Sequence, residues 1–444
     1  MQTLICLPDV SDRGDATEAL DALFLKKIAG VPLLLRVILT AIRGGASSVL
    51  LVHPRSVPAS WLVSKLQPAL GSTELELLEV DEVFEPQRRE DWQQLEHRLE
   101  PRFLWMPWNY VTVKPVLQWL LTAAAQHTGA VAIAASDARD ETGTPHVVER
   151  DALLAAGSLG SYLKTTSPEL LSSADIPGIV VDTTAPGVAV RSRPDVRRAA
   201  NLLVRGSGKS SDGIHSKLNR WLSRPMVYWL VKTPITANMV TWAGIPVVAL
   251  SGFYFTKAHW AAYTIGALLY WFSVLLDEVD GMIARTKFQE SAFGCWLETF
   301  VDYSSYFFLW SGMSLGLYRE YGSLWWPVLG ILVMVLNVLI VLLLLRQRRD
   351  VVPADHPEYY SKQFNGRLDA DSGSLLSRVI RKFVHFPKRG VLCHYVVLFS
   401  VFNGLHILFG FVVAGAVATL FVSLYMNRLF QIPVTASDPP TVPV

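Results

Sequence analysis

Between residues 277 and 302 the chain reads DEVDGMIARTKFQESAFGCWLETFVD, and its acids recur at helical spacing. Asp277 and Asp280 are three residues apart and Ala284 lies seven beyond Asp277, so all three fall near one helix face. Gly294, Glu298 and Asp302 step by four and share a face of the next helix. Two antiparallel helices joined by a short loop would converge four carboxylates, a cluster that repels itself unless cations neutralise it. Carboxylate oxygens are hard donors and favour magnesium, or manganese, in this case two divalent ions. Such ions grip a diphosphate, draw negative charge off the phosphorus under attack and assist the departure of a nucleotide monophosphate. Arg285 can add a charge-assisted contact to phosphate oxygens. Gly281, Ala284 and Gly294 are small where a nucleotide would approach helix backbone. A purely structural reading competes with this one: small residues let membrane helices pack closely, and buried acids pair with bases.

The elements that must position these residues are apolar runs of membrane-spanning length. Composition changes near residue 235: charged residues and short apolar runs alternate before it, and long apolar stretches follow. Six spans are expected, at about Met239–Phe255, Trp260–Val279, Trp296–Leu317, Leu324–Leu345, Val391–His406 and Leu408–Met426. The last two are separated near Asn403 and Gly404, since about 20 residues suffice to cross a bilayer core. Arg220, Arg224 and Lys232 precede the first span, Arg285 and Lys287 sit between the second and third, and Arg346, Arg348 and Arg349 follow the fourth. Lys382, Lys388 and Arg389 precede the fifth and Arg428 follows the sixth, whereas the opposite loops carry only Lys257 and Arg319. The positive-inside rule therefore puts both termini and the carboxylate loop in the cytosol. The stretch before the first span, with Trp221, Trp229, Arg220 and Arg224, reads either as a helix lying on the membrane surface or as a linker helix packed on the soluble part.

The carboxylate segment resembles the signature of the CDP-alcohol phosphatidyltransferases, D-x-x-D-G-x-x-A-R followed about eight residues later by G-x-x-x-D-x-x-x-D. Asp277, Asp280, Gly281, Ala284, Arg285, Gly294 and Asp302 match, while Glu298 stands where the family has aspartate. The resemblance covers about residues 212–430, including NRWLSRP and TPITANMVT, with Ala237 at a position usually filled by proline. It implies that Asp277, Asp280, Glu298 and Asp302 are metal ligands and that Asp302 is also the catalytic base for the acceptor hydroxyl. Gly281, Ala284 and Gly294 would border the cytidine nucleotide, with Arg285 near its phosphates. The implied enzyme attacks a CDP-linked donor with an alcohol or phospho-alcohol acceptor, releases CMP, serves phospholipid or polar-lipid synthesis, contacts membrane lipids and forms a homodimer.

Residues 1 to about 205 alternate apolar strand-like runs with helical patterns, the rhythm of an α/β domain: TLICL, a helical stretch from about Ala16 to Arg43, SSVLLVH, RFLWM, AVAIAAS and GIVVD. The order of parts resembles the sugar-phosphate nucleotidyltransferases, in KKIAGVPLLLRVILTAIRGGASSVLLV and RSRPDVRRAANLL. Where that family has a glycine-rich triphosphate loop, this chain has PDVSDRGD, with one glycine and three aspartates. Where the family shows a metal-binding aspartate, it has Pro107, Trp108 and Asn109. Lys26 or Lys27 could meet a phosphate and Asp182 could hold a metal, yet lone residues of these types are commonly solvated surface groups. The expectation is a nucleotidyltransferase-like domain that kept its fold and lost nucleotidyl transfer.

RGSGKSSDG near residue 206 fails as a phosphate loop because Leu203 occupies the first glycine position, and it reads as a flexible linker. The cytosolic stretch from Arg346 to Arg389, with Lys362, Arg367, Arg378 and Arg381, suits anionic headgroups or a phosphorylated acceptor. A net charge of +2 gives no ground for nucleic-acid binding. Cys6, Cys295 and Cys393 lack pairing or ligand spacing, which suits a reducing compartment, and MQTLICLPDV lacks the features of a cleavable signal peptide. The expected plan is a cytosolic α/β domain at 1–205, a linker and interfacial helix at 206–236, an all-α six-helix transmembrane domain at 237–430 and a disordered tail at 431–444, in the cell inner membrane. A bifunctional enzyme that also makes its own CDP-alcohol, and a non-catalytic membrane scaffold, are the alternatives.

Overall fold

The computed structural model describes residues 1–11, 16–70, 75–81, 83–126, 131–133, 143–166, 169–171, 187–208, 214–351 and 389–431. The expected strand GIVVD with Asp182, the basic residues from Lys362 to Lys388, and the tail from 432 lie outside the described residues. The chain forms two compact units. One comprises Met1–Asp212, Arg224–Ile235 and Met282–Gln289, and the other Gly213–Ser223, Thr236–Gly281 and Glu290–Val444.

The first unit runs β1 (Gln2–Cys6), α1 (Ala16–Phe24), β2 (Lys27–Ile28), β3 (Val31–Pro32), α2 (Leu33–Gly44), β4 (Ser48–Pro54), α3 (Ala59–Leu70) and β5 (Leu75–Val80). It continues with α4 (Arg89–Leu95), β6 (Arg102–Trp105), β7 (Tyr110–Thr112), α5 (Lys114–Gln126), β8 (Val131–Ile133), β9 (His146–Glu149), α6 (Arg150–Ala156), α7 (Leu159–Thr166), β10 (Glu169–Leu171), β11 (Gly187–Ala189) and α8 (Arg193–Gly206). Seven strands make one sheet in the order β10-β8-β9-β6-β1-β4-β5. β1 pairs in parallel with β4, Gln2 opposite Ser48, and with β6, Gln2 opposite Phe103. β9 runs antiparallel to both β6 and β8. Because the central strands are covered on both faces they read as unbroken apolar runs, and Leu4, Leu50, Val52, Phe103 and Trp105 join Trp92, Leu153 and Tyr162 in one core.

The single helical stretch expected from Ala16 to Arg43 is instead α1, a hairpin and α2. Ala29 (φ 47°) and Gly30 (φ 83°) both take left-handed backbone, which gives a two-residue turn the hand needed to pair Ile28 with Val31. Gly30 is also obligatory for space, since a Cβ there would lie 2.4 Å from the Val231 carbonyl oxygen. Pro32 then opens α2 with its φ already fixed. At the far end, Ser192 and Asp195 form a reciprocal capping box that starts α8.

The second unit holds the helices α9 (Ile214–Leu230, in part), α10 (Ala237–Phe255), α11 (Trp260–Lys287, up to Gly281), α12 (Ala292–Tyr321), α13 (Trp325–Val351), α14 (Arg389–Val401) and α15 (Leu405–Gln431). Among the described residues three helices, over Ala237–Phe255, Trp325–Gln347 and Leu405–Arg428, are long and apolar enough to cross a membrane. The apolar windows of α13 and α15 are only 22 % and 17 % buried, so most of their apolar surface faces outward, as lipid contact requires. α11 and α12 are longer still, at 28 and 30 residues, but carry the acids. α14 is a shorter apolar helix, and Asn403 in left-handed backbone (φ 53°) turns the chain between it and α15. On α9, Trp221 and Trp229 are exposed while Asn219 and Arg220 are buried.

α10 and α12 meet along a seam of glycines. A Cβ on Gly252 would come within 2.6 Å of the Phe308 carbonyl oxygen, on Gly312 within 2.3 Å of that of Gly252, and on Gly316 within 2.1 Å of that of Phe255. Small residues permit this backbone-to-backbone approach, which supplies packing where no hydrophobic drive between helices exists.

Candidate active site

α11 delivers Asp277 and Asp280, and α12 delivers Glu298 and Asp302. α12 begins where the Ser291 hydroxyl accepts a hydrogen bond from the Gly294 amide at 3.0 Å. Gly294 is tight on one side: a Cβ would sit 3.3 Å from Asn238 Oδ1 of α10. Asp280 is 5 % exposed, and the Thr241 hydroxyl of α10 donates to its Oδ2 at 2.6 Å. The charges of Asp277 and Glu298 act on both Asp280 and Asp302, so the four expected acids form one electrostatic cluster.

Arg389, the first residue of α14, joins the two helices. Its Nη1 donates to Asp302 Oδ1 and lies 3.3 Å from Asp277 Oδ1, while its Nη2 donates to Ser273 Oγ at 3.1 Å. The guanidinium side chain is 7 % exposed. α14 is itself tied down one residue later, where Asn219 Nδ2 of α9 donates to the Gly390 carbonyl at 3.1 Å and the Trp271 indole of α11 donates to Asn219 Oδ1 at 3.1 Å. Arg389, Thr241 and Ser273 were not singled out by spacing. In the sequence Arg389 is one of the cations flanking an apolar run, and Thr241 is one polar residue within another.

Among the described residues no three acid, histidine or cysteine side chains stand close enough to hold a metal ion as they are. The Arg389 guanidinium stands between Asp277 and Asp302 and occupies one oxygen of each. The donor set nevertheless suits a hard cation: Asp277 and Asp302 share one buried arginine that offsets part of their charge, and Asp280 and Glu298 lie within electrostatic reach.

Two motif positions, Ala284 and Arg285, belong to the first unit. There Arg285 Nε donates to the Ser207 carbonyl, and the Ala284 carbonyl accepts from the Gln289 amide at 2.9 Å where α11 ends. Gly281 follows Asp280 directly on α11.

In the N-terminal sheet the loop after β1 is organised by Asp9. Its carboxylate accepts from the Ser11 amide at 3.0 Å, the Ser11 hydroxyl at 2.7 Å and the Ser56 hydroxyl at 2.5 Å. Those bonds hold its pKa down to about 2, so an anion stands in the loop after β1. Trp108 packs edge-on against Phe24 at 5.3 Å, and Asn109 Nδ2 donates to the Val190 carbonyl at 3.4 Å. Both positions after β6 are thus committed to packing and main-chain contacts.

Comparison with known families decides the helical half, because residues 234–422 match the model of the CDP-alcohol phosphatidyltransferases. Residues 234–422 are a CDP-alcohol phosphatidyltransferase domain. Two curated relatives are similar to this chain, both described as bifunctional IPC transferase and DIPP synthase. One, from Aquifex aeolicus, is 29 % identical over 151 residues, covering 34 % of this chain and 34 % of the relative. The other, from Archaeoglobus fulgidus, is 32 % identical over 136 residues, covering 30 % of this chain and 26 % of the relative. The chain therefore matches about a third or less of either relative's length. CDP-alcohol phosphatidyltransferases generally depend on divalent metal.

Proposed function

We propose that the protein is a membrane enzyme that transfers a phospho-alcohol group from a CDP-linked donor to a hydroxyl acceptor and releases CMP, in phospholipid or polar-lipid synthesis. The observation that carries this reading is the gathering of Asp277 and Asp302, from two helices, on one buried guanidinium, with Asp280 and Glu298 in electrostatic reach.

Asp277, Asp280, Glu298 and Asp302 would hold two divalent cations, magnesium or manganese, whose charge would stabilise the diphosphate and the departing CMP. Thr241 holds one oxygen of Asp280 and so orients its carboxylate. Arg389 must yield Asp302 for catalysis, and its guanidinium is then free to meet a phosphate oxygen. Asp302 accepts the proton of the acceptor hydroxyl as the new oxygen–phosphorus bond forms. The bond from phosphorus to the CMP oxygen breaks, and its electron pair leaves with CMP. Gly281, Ala284 and Gly294 border the nucleotide, with Arg285 near its phosphates once released from Ser207. Glu298 keeps the charge of the family's aspartate and reaches one methylene further, a change activity survives.

The domain plan proposed is a cytosolic α/β domain at 1–205, inactive in nucleotidyl transfer, a linker with an interfacial helix, and six spans within 237–430 in the cell inner membrane with the active site at the cytosolic side. The protein works as a homodimer. The Asp9 knot supports loss of the first activity, whereas the descriptions of both relatives favour a bifunctional enzyme. The deciding experiment incubates purified protein with magnesium and a panel of CDP-linked donors and alcohols and measures CMP. Metal-dependent CMP release supports the proposal, its absence across the panel sinks it, and pyrophosphate release from CTP would establish the second activity.

A further inference from the structure

The helix that carries Asp277 and Asp280 ends in an unusual way. The Gln289 amide bonds back to the Ala284 carbonyl at 2.9 Å, and Phe288 before it adopts φ 58°. That is the left-handed stop at which glycine is the usual residue, because a side chain there is strained. Here a bulky aromatic has been placed on it.

What holds Phe288 there is α2 of the same unit. Arg36 and Arg43 lie two turns apart on one face of α2, with their guanidinium carbons 5.2 and 5.8 Å from the Phe288 ring centroid. Arg43 Nη2 also donates to the Phe288 carbonyl at 3.4 Å. Arg36 is 1 % exposed and is fixed by its Nε and Nη2 on the Ile28 carbonyl of the hairpin, at 3.2 and 2.9 Å. Both cations stand at the C-terminal end of α11, where the helix dipole is negative. Lys287, next in line, sends its Nζ to the Thr233 and Ile235 carbonyls at 2.8 Å each, and Arg285 reaches Ser207.

We propose that the N-terminal α/β domain serves as a positioning domain: Arg36 and Arg43 clamp Phe288 and so fix the end of the helix that carries Asp277 and Asp280. Phe288 is a positioning residue acting through α11, and its effect on turnover rests on the activity proposed above.

The test is a set of Phe288 variants in the full-length protein, in detergent. Phe288→Gly removes the ring yet suits the left-handed backbone, so the helix stop itself is preserved. Each cation–ring contact is worth about a two- to fivefold change in an equilibrium. Amide hydrogen exchange across 282–289 should therefore rise about four- to twenty-five-fold in Phe288→Gly. The KM for the CDP-linked donor should rise by a similar factor with kcat changed far less, and Phe288→Trp should restore both. Wild-type exchange in Phe288→Gly overturns the clamp, and so does faster exchange with an unchanged KM. If the wild-type protein releases no CMP with any donor, the proposed function fails, and the exchange measurement alone decides the clamp.

Discussion

Replacing Arg389 with methionine keeps side-chain bulk and removes the charge that Asp277 and Asp302 share. Removing one partner of a buried ion pair costs about 3–5 kcal/mol, because the remaining charge is left uncompensated. Here the Asp277 and Asp302 side chains retain 25 % and 35 % exposure, so solvent screening favours the lower end, about 3 kcal/mol. At about 2–4 °C per kcal/mol for a unit of this size, Arg389→Met should melt roughly 6–12 °C below wild type in EDTA. A divalent cation at about a hundred times its dissociation constant returns about 2.7 kcal/mol, nearly the whole loss. Wild type should gain less from the same addition, since its own guanidinium competes for the oxygens. The assay is differential scanning fluorimetry of both proteins in detergent, with EDTA and with magnesium. An equal depression of melting temperature in both conditions would refute the reasoning, because the pocket would then have no use for a cation.

Alanine at Asp277 or Asp302 should abolish metal-dependent CMP release, measured by chromatography of the nucleotide product; full turnover in either variant defeats the proposed mechanism. Thr241→Val removes the 2.6 Å bond to Asp280 with little change of shape, and manganese affinity by calorimetry should fall about 10- to 100-fold. His146 on β9 is buried and its pKa is lowered to about 4 by desolvation. The folded state thus stays neutral there while the unfolded chain takes a proton near its ordinary pKa of about 6.5. Its contribution is complete above pH ~6.5 and declines as pH falls to about 4, by up to about 3 kcal/mol at 1.36 kcal/mol per pH unit. His146→Gln should flatten that part of the melting-temperature profile, and an unchanged slope would show that another group is responsible.

What could be read in the sequence follows from the range over which each signal acts. The acids of α11 and α12 share faces because their spacing is local, and helices of membrane length announce themselves through apolar runs. The β2–β3 hairpin was hidden because LKKIAGVPLLLRVIL keeps an apolar pattern a helix could also use, and only the backbone at Ala29 and Gly30 breaks it. Arg389 is 87 residues from Asp302, and a cation beside an apolar run reads as a headgroup partner until the fold brings it inward. The recruitment of Met282–Gln289 into the first unit was similarly invisible, since no local pattern marks Phe288 as gripped from α2.

The glycine seam between α10 and α12 bears on how this bundle can adapt. Backbones that touch through Gly252, Gly312 and Gly316 have no compressible side chains to absorb sliding, so the two helices behave as a single plate. Thr241 rides on one half of that plate, and Glu298 and Asp302 on the other. Their separation is therefore a constant of the fold, and accommodation to a bulkier or slimmer substrate falls to side chains rather than backbone, to Asp277 and Asp280 of α11 and Arg389 of α14.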